Sequence, residues 1–144
     1  MAGFRLGIYV FKDAEIVDFA APHGVCRRLP EFIRSLDAET LLTSVCTGSW
    51  VYGRMGLLDG LPATNRKEPD KVESGPAGKV PIDRLAEIAP ACRISRARVV
   101  DAGRIVTAGG ITSGMEMGFH LLRRAGYGDE FVDDVARVME YSAA

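Results

Sequence analysis

The chain has 144 residues, 47% hydrophobic and 26% charged, which is enough for one core and argues against a disordered or fibrous protein. Eighteen basic residues balance nineteen acidic ones, for a net charge of -1, without a basic block, so we expect no nucleic-acid partner. No apolar run reaches the ~20 residues of a membrane span, and the start of the chain lacks the regions of a signal peptide. Three cysteines without a C-x-x-C motif indicate a reducing cytoplasm rather than a disulfide scaffold.

The first part of the chain alternates between strand-like and helical patterns. Arg5–Phe11 is a short apolar run rich in β-forming residues, which predicts a strand buried on both faces. Apolar residues then recur at helical spacing over residues 16–36. Residues 40–45 predict a second buried strand, and residues 50–60 predict a helix that ends at a glycine.

The second part continues this alternation after a polar stretch. Residues 65–81 are rich in breakers and predict a loop, and residues 82–88 predict a short amphipathic helix. Residues 98–108 predict a β-hairpin, and helices are predicted over residues 115–124 and 129–141. Strands that alternate with helices indicate a single α/β domain built around a layered sheet.

The strongest chemical signal is the end of the second strand. The strand stops at Cys46, the small residues Thr47 and Gly48 follow, and a helix begins at once, which is the layout of a nucleophile elbow. Such a turn lifts the thiol out of the sheet, and the helix N-terminus stabilises a thiolate. The Thr47 hydroxyl is placed to bond the sulfur or a substrate. The alternative is a buried structural cysteine, which suits Cys26 and Cys92 better.

A nucleophilic cysteine requires a group that handles protons. The two histidines, His23 and His120, do not follow the elbow at a triad position, so a Cys-His-Asp triad is not predicted and a structural role is the simpler interpretation of both. Asp18 is an acid within an apolar window, and an unpaired buried acid is costly. If Asp18 points at Cys46, it can share or deliver a proton.

A second strand-to-helix turn, residues 109–114, has the sequence GGITSG. Its backbone N–H groups and hydroxyls can cap a helix or contact a ligand, and we assign Ile111 and Thr112 to substrate binding, together with Thr47 and Gly48. The turn has neither a dinucleotide fingerprint nor a P-loop lysine. No cluster of ligating residues has metal-site spacing, so neither a metal nor a cofactor is expected.

Five segments of the sequence together resemble the ThiJ/PfpI superfamily, whose members are similar to class I glutamine amidotransferases. The segments are IVDFAAPHGV, LLTSVCTGS, GLLDG, RVVDAGRIVTAGGITSGMEMGFHLL and VMEY. Within the superfamily, the resemblance is to isonitrile (isocyanide) hydratases, which share their core with sensor domains of AraC-type regulators. It implies a flavodoxin-like three-layer sandwich with a mostly parallel sheet, here shortened.

The resemblance also implies a chemistry. Cys46 corresponds to the nucleophile, Thr47 to the neighbour that contacts the sulfur or the substrate, and Asp18 to the acid that works with the cysteine. The implied reaction of this hydro-lyase is hydration of an isocyanide to an N-substituted formamide in a cytoplasmic homodimer, without a metal or a cofactor.

Two departures from the family pattern leave the activity open. Several relatives have His-Trp where this chain has Asn65-Arg66, and a family segment that helps to form the pocket is missing between Pro30 and Glu31. Loss of that segment exposes a strand edge, which makes pairing with a second chain plausible. One alternative is therefore a ligand- or redox-sensing module without turnover, or an inactive shortened paralogue. Another is glyoxalase- or deglycase-type carbonyl chemistry at Cys46.

Overall fold

The computed structural model describes residues 23–69 and 80–142 of the chain. The helices in these ranges are α1 (His23–Ser35), α2 (Ser49–Arg54), α3 (Pro81–Ile88), α4 (Ile111–Arg124) and α5 (Asp129–Val138). The strands are β1 (Leu42–Val45), β2 (Pro62–Ala63), β3 (Arg93–Ile94), β4 (Val99–Asp101) and β5 (Ile105–Ala108), and a 3-10 turn, Cys46–Gly48, joins β1 to α2. Within the described ranges, no helix has the length and apolarity that crossing a membrane requires.

The main sheet has the strand order β1-β5-β4. β1 and β5 are parallel, with Val45 opposite Ala108, whereas β4 and β5 form the predicted antiparallel hairpin. The hairpin turns at Gly103, which has a φ of 84° and donates its N–H to Asp101 Oδ1 at 2.8 Å. β2 and β3 pair in parallel as a second small sheet, so two of the three described strand pairs are parallel.

Helices cover both faces of the main sheet. All four residues of β5 are buried, and they alternate between the two faces as a strand requires. One face packs with α1, α2 and α3 in a core that contains Ile33, Leu42, Tyr52, Leu85 and Ile105. The other packs with α4 through Leu41, Val106, Ala108, Met117 and Leu121. This arrangement confirms the predicted α/β three-layer fold.

Several element boundaries differ from the sequence prediction. α2 ends at Arg54 rather than at residue 60, because the chain turns at Gly56 and Gly60, whose φ values are 72° and 71°. α4 begins four residues before the predicted residue 115, and α5 ends three residues before residue 141. The two-residue strands β2 and β3 were not predicted, since two residues leave no periodicity to detect.

Two predictions for the N-terminal part of the chain are not tested by the described residues. The predicted strand Arg5–Phe11 lies outside them. The junction between Pro30 and Glu31 lies within α1, which continues through Pro30 without a break. The family segment missing at that junction stays a prediction, as does the single-domain assignment of residues 1–144.

Candidate active site at the carboxyl ends of β1 and β5

Cys46 stands at the point where β1 ends. Val45 is still extended, with φ -119° and ψ 144°, but Cys46 has a φ of 59°, and helical residues follow. A left-handed conformation costs an L-residue other than glycine about 1–2 kcal/mol. The Cys46 N–H donates to the Gly109 carbonyl at 2.6 Å, which stabilises the turn against the end of β5. The strand-to-helix turn predicted at Cys46 is therefore present, while its nucleophilic role stays a prediction.

Two buried hydroxyls flank the cysteine. Thr47 is 3% exposed and Ser44 is 8% exposed, and neither side-chain oxygen has a hydrogen-bond partner among the described residues. Buried polar atoms are nearly always hydrogen-bonded, so these oxygens retain bonding capacity. Gly48 permits the close packing of this turn, because a Cβ there would lie 3.3 Å from the Ser44 Cβ.

Asn65 is hydrogen-bonded to Ser49, the first residue of α2. Its side chain is fully buried; Nδ2 donates to the buried Ser49 Oγ at 2.8 Å, and Oδ1 accepts the Arg66 N–H at 2.6 Å. Thr64, beside it, donates its N–H to Thr107 Oγ1 at 2.9 Å. The residue at the position where several relatives have histidine is thus a structural amide that joins the β2 end to the helix after Cys46.

The second predicted turn lies beside the first. A Cβ on Gly114 would lie 3.3 Å from Val45 Cγ2, so the first turn of α4 packs against the end of β1. Ile111 is 76% exposed, and the exposed Thr112 accepts a hydrogen bond from the Arg98 guanidinium at 3.0 Å. The structure therefore brings the neighbourhoods of Cys46 and of Ile111 and Thr112 together, although the roles predicted for these residues are not tested by it.

Lys67 is a residue of this region that the sequence analysis did not identify. Its Nζ donates to the Ala97 carbonyl at 2.8 Å and lies 2.5 Å from the position that a Cβ on Gly109 would take. Burial and then the charges of Arg98 and Arg96 lower the pKa of Lys67. The only sequence signal for this contact is the missing side chain at Gly109, which a single sequence does not connect to a lysine 42 positions earlier.

His120 and Cys92 each contact groups that give them a structural role. His120 Nε2 lies 2.6 Å from Asp101 Oδ2, and Arg124 also donates to Asp101, so this histidine belongs to an ion-pair cluster that joins α4 to the hairpin. Cys92 is buried, its thiol donates to the Leu61 carbonyl at 3.4 Å, and burial raises the pKa of that thiol. Both observations agree with the structural roles preferred for these residues.

Several predicted participants cannot be placed. Asp18, like the side chains of His23 and Cys26, lies outside what the structure describes, so its approach to Cys46 stays a prediction. Within the described part of the chain, no group of three or more His, Cys, Asp or Glu residues could hold a metal ion.

Comparison with known proteins gives one relative of defined activity. No family model matches the chain. The sequence is similar to isonitrile hydratase from Pseudomonas putida, with 34% identity in an alignment 144 positions long that covers 93% of this chain and 56% of the hydratase. The chain therefore spans little more than half the length of that relative.

Solved structures share the fold. An AraC family transcriptional regulator from Pseudomonas putida matches with a TM-score of 0.60 at 23% identity, over 83% of this chain and 56% of its own. A ThiJ/PfpI family protein from Pseudomonas syringae matches with a TM-score of 0.61 at 23% identity, over 85% and 43%. A DJ-1 superfamily protein from Salmonella typhimurium gives 0.55 at 20% identity, over 74% and 49%.

Proposed function

We propose that the chain is a member of the ThiJ/PfpI superfamily and acts as an isonitrile hydratase-like lyase that converts an isocyanide into an N-substituted formamide. The observation that carries the proposal is the turn at Cys46. A non-glycine residue with a φ of 59° between a strand and a helix holds its side chain at the sheet edge where ligands of open α/β folds bind. Strained backbone of this kind concentrates at functional sites.

The proposed reaction begins with attack of the Cys46 thiolate on the terminal carbon of the isocyanide. A carbon–sulfur bond forms, and a proton added to that carbon gives a thioimidate. Water then adds to the same carbon, and one of its protons goes to the nitrogen while the other restores the acid that gave the first proton. The carbon–sulfur bond breaks, and its electron pair returns to the sulfur as the thiolate. The sum is one isocyanide plus one water giving one N-substituted formamide, with no net oxidation or reduction.

The residues around Cys46 supply different parts of this chemistry. The Cys46 N–H is already bonded to the Gly109 carbonyl, so this amide positions the turn and does not bind the substrate. The buried hydroxyl of Thr47 is the group proposed to bond the sulfur or the added water. Asp18 is proposed to deliver the proton, and the exposed side chain of Ile111 to contact the substituent of the isocyanide.

The test is formation of the formamide by the purified protein, followed through the formyl proton by NMR. The wild type is expected to convert a simple alkyl isocyanide, and Cys46→Ala to lose at least about 1,000-fold in rate, as enzymes do when a nucleophile is removed. Cys92→Ala and Cys26→Ala serve as matched controls and are expected to retain turnover. Equal turnover by Cys46→Ala and the wild type would refute the proposal.

Binding without turnover is the second candidate, because the chain spans only 56% of the length of the hydratase. No formamide at high protein concentration, together with saturable binding of the isocyanide, would support that candidate.

Parallel incubation with methylglyoxal tests carbonyl chemistry at the same thiol. We further propose that the protein pairs with a second copy of itself, which sedimentation of the purified chain would test.

A further inference from the structure

Three cations that the proposed reaction does not use converge beside the second turn. The basic cluster consists of Lys67, Arg96 and Arg98. Lys67 extends across Gly109 to the Ala97 carbonyl, and Ala97 lies in the chain between the two arginines. Burial, and then the charges of Arg98 and Arg96, lower the pKa of Lys67, whereas the charge of Glu116 raises it.

The repulsion between Lys67 and the two arginines is only partly compensated within the described residues. Glu116 accepts a hydrogen bond from Arg98 Nε at 2.6 Å, which offsets one charge of the three. The Arg98 guanidinium also donates to Thr112 Oγ1 at 3.0 Å, so it is held in place at the second turn. A site of like charges that fixed neighbours hold together binds an opposite charge favourably, since the anion relieves the repulsion.

We propose that the basic cluster binds a carboxylate group of the ligand held at Cys46, so that the substrate is an anionic isonitrile. The inference rests on the proposed function for the isonitrile but not for the carboxylate. Lys67 provides the main contact: an ammonium has three N–H donors, and the Ala97 carbonyl accepts from one of them. A carboxylate forms a strong, charge-assisted hydrogen bond with such a donor.

Gly109 fixes the position of the basic cluster relative to the thiol. Its carbonyl accepts the Cys46 N–H at 2.6 Å, and Lys67 Nζ lies 2.5 Å from the place where its side chain would begin. The cysteine and the ammonium therefore border the same residue. Isocyanoacetate carries an isocyano group and a carboxylate on one carbon, and it is the simplest ligand of this kind.

The test measures binding, so that it does not depend on turnover. The probe is N-formylglycine, the formamide that isocyanoacetate would give, compared with its neutral methyl ester by calorimetry on the Cys46→Ala protein. The carboxylate is expected to bind at least about ten-fold more tightly than the ester, because the neutral ester cannot form the charge-assisted hydrogen bond with Lys67. Lys67→Met is expected to abolish this preference, and Lys67→Arg to keep most of it.

Two further variants separate recognition from general effects. Arg93→Met removes an exposed arginine of β3 outside the basic cluster and is expected to leave the preference unchanged. In Gly109→Ala the new methyl group would lie 2.5 Å from the present position of Lys67 Nζ. The flexible end of the lysine can move away, so the fold is expected to persist while the preference falls. Thermal denaturation checks that each variant is folded.

The outcomes distinguish the two proposals. Equal affinity for N-formylglycine and its ester, no binding at millimolar concentrations, or equal losses in Lys67→Met and Arg93→Met would each overturn the inference. A carboxylate preference that depends on Lys67 supports the inference even if no isocyanide is hydrated. Hydration of neutral and anionic isocyanides at equal kcat/KM would support the proposed function and refute the inference.

Discussion

The two strand-to-helix turns at the carboxyl ends of β1 and β5 are neighbours that differ in backbone conformation. The first turn, Val45–Ser49, places a cysteine at a φ of 59° and leaves the Thr47 hydroxyl without a partner among the described residues. The second, residues 109–114, begins with two glycines, and Gly110 adopts an extended conformation with a φ of -74°. The first turn is strained at Cys46, and the second has no strained residue and leaves room for its neighbours.

The difference shows what each turn provides. Strain at a non-glycine residue persists only where surrounding contacts enforce it, and here those contacts are the Gly109 carbonyl and the buried pair of Asn65 and Ser49. The glycines of the second turn instead allow a close approach, by the Cys46 N–H on one side and by Lys67 on the other. The first turn therefore fixes the backbone conformation of Cys46. The second turn, with its glycines, leaves room for Cys46 and Lys67 to approach closely.

The largest effect on stability is expected from removing the support of the strained turn. Asn65→Ala leaves the buried Ser49 hydroxyl and the Arg66 N–H without the partner that they have now, and each such loss costs about 1–3 kcal/mol. We expect a loss of about 3 kcal/mol in the free energy of unfolding, measured by urea denaturation. Glu68→Ala, an exposed change in the same loop, should change it by less than about 0.5 kcal/mol. A loss below that of the control would show that the turn does not depend on this amide.

A smaller effect, and a pH dependence, is expected at Tyr52. Its hydroxyl donates to the Thr43 carbonyl at 2.7 Å, which ties α2 back to β1, so Tyr52→Phe should cost about 1 kcal/mol at neutral pH. Burial raises the pKa of Tyr52 to about 12 from 10.0. Above pH 10 the unfolded chain ionises first, so this contribution is complete below pH 10 and is lost as the pH rises through 12.

Alkaline denaturation checks this prediction. Between pH 10 and 12 the wild type should lose on the order of 2 kcal/mol more than Tyr52→Phe. Tyr127→Phe removes the hydroxyl of an exposed ring and should follow the wild type. If Tyr52→Phe and the wild type lose stability in parallel over this range, the hydroxyl is not buried as the structure has it.

The strain itself is expected to give a smaller difference in stability than these changes. At a φ of 59° glycine avoids the clash that alanine meets, so Cys46→Gly should be about 1 kcal/mol more stable than Cys46→Ala. Thermal denaturation of the two variants measures the difference, and both should be inactive. Equal stability would indicate that Cys46 is not held in the left-handed conformation.

The second turn provides the control for that comparison. Gly110 precedes α4 as its N-cap, without a side-chain cap and with open space where a Cβ would lie. Gly110→Ser should therefore stabilise the protein, by about 0.5 kcal/mol, because serine caps a helix and restricts the unfolded chain. A side chain is thus tolerated at position 110 of the second turn, whereas at position 46 of the first turn it strains the backbone.

Local patterns predicted much of this architecture, and long-range contacts account for what they missed. The hairpin and the turn at Cys46 follow from short runs of apolar residues and glycines, which determine local structure. The approach of Lys67 to Gly109 joins residues 42 positions apart, and no periodicity records such a contact. The predicted start of α4 was residue 115, since residues 111–114 have weak helix propensity. In the structure these residues are helical, and Gly114 packs on Val45.

The position of β5 has a consequence for how the protein opens. Of the described strands, β5 is bonded on both sides, and all four of its residues are buried. Its amide hydrogens therefore exchange with solvent only when the whole sheet separates, the least frequent of the opening events. The Cys46 N–H is bonded to the residue that follows β5 and shares that protection. Fraying of α5 or of the loops thus leaves the turn at Cys46 assembled.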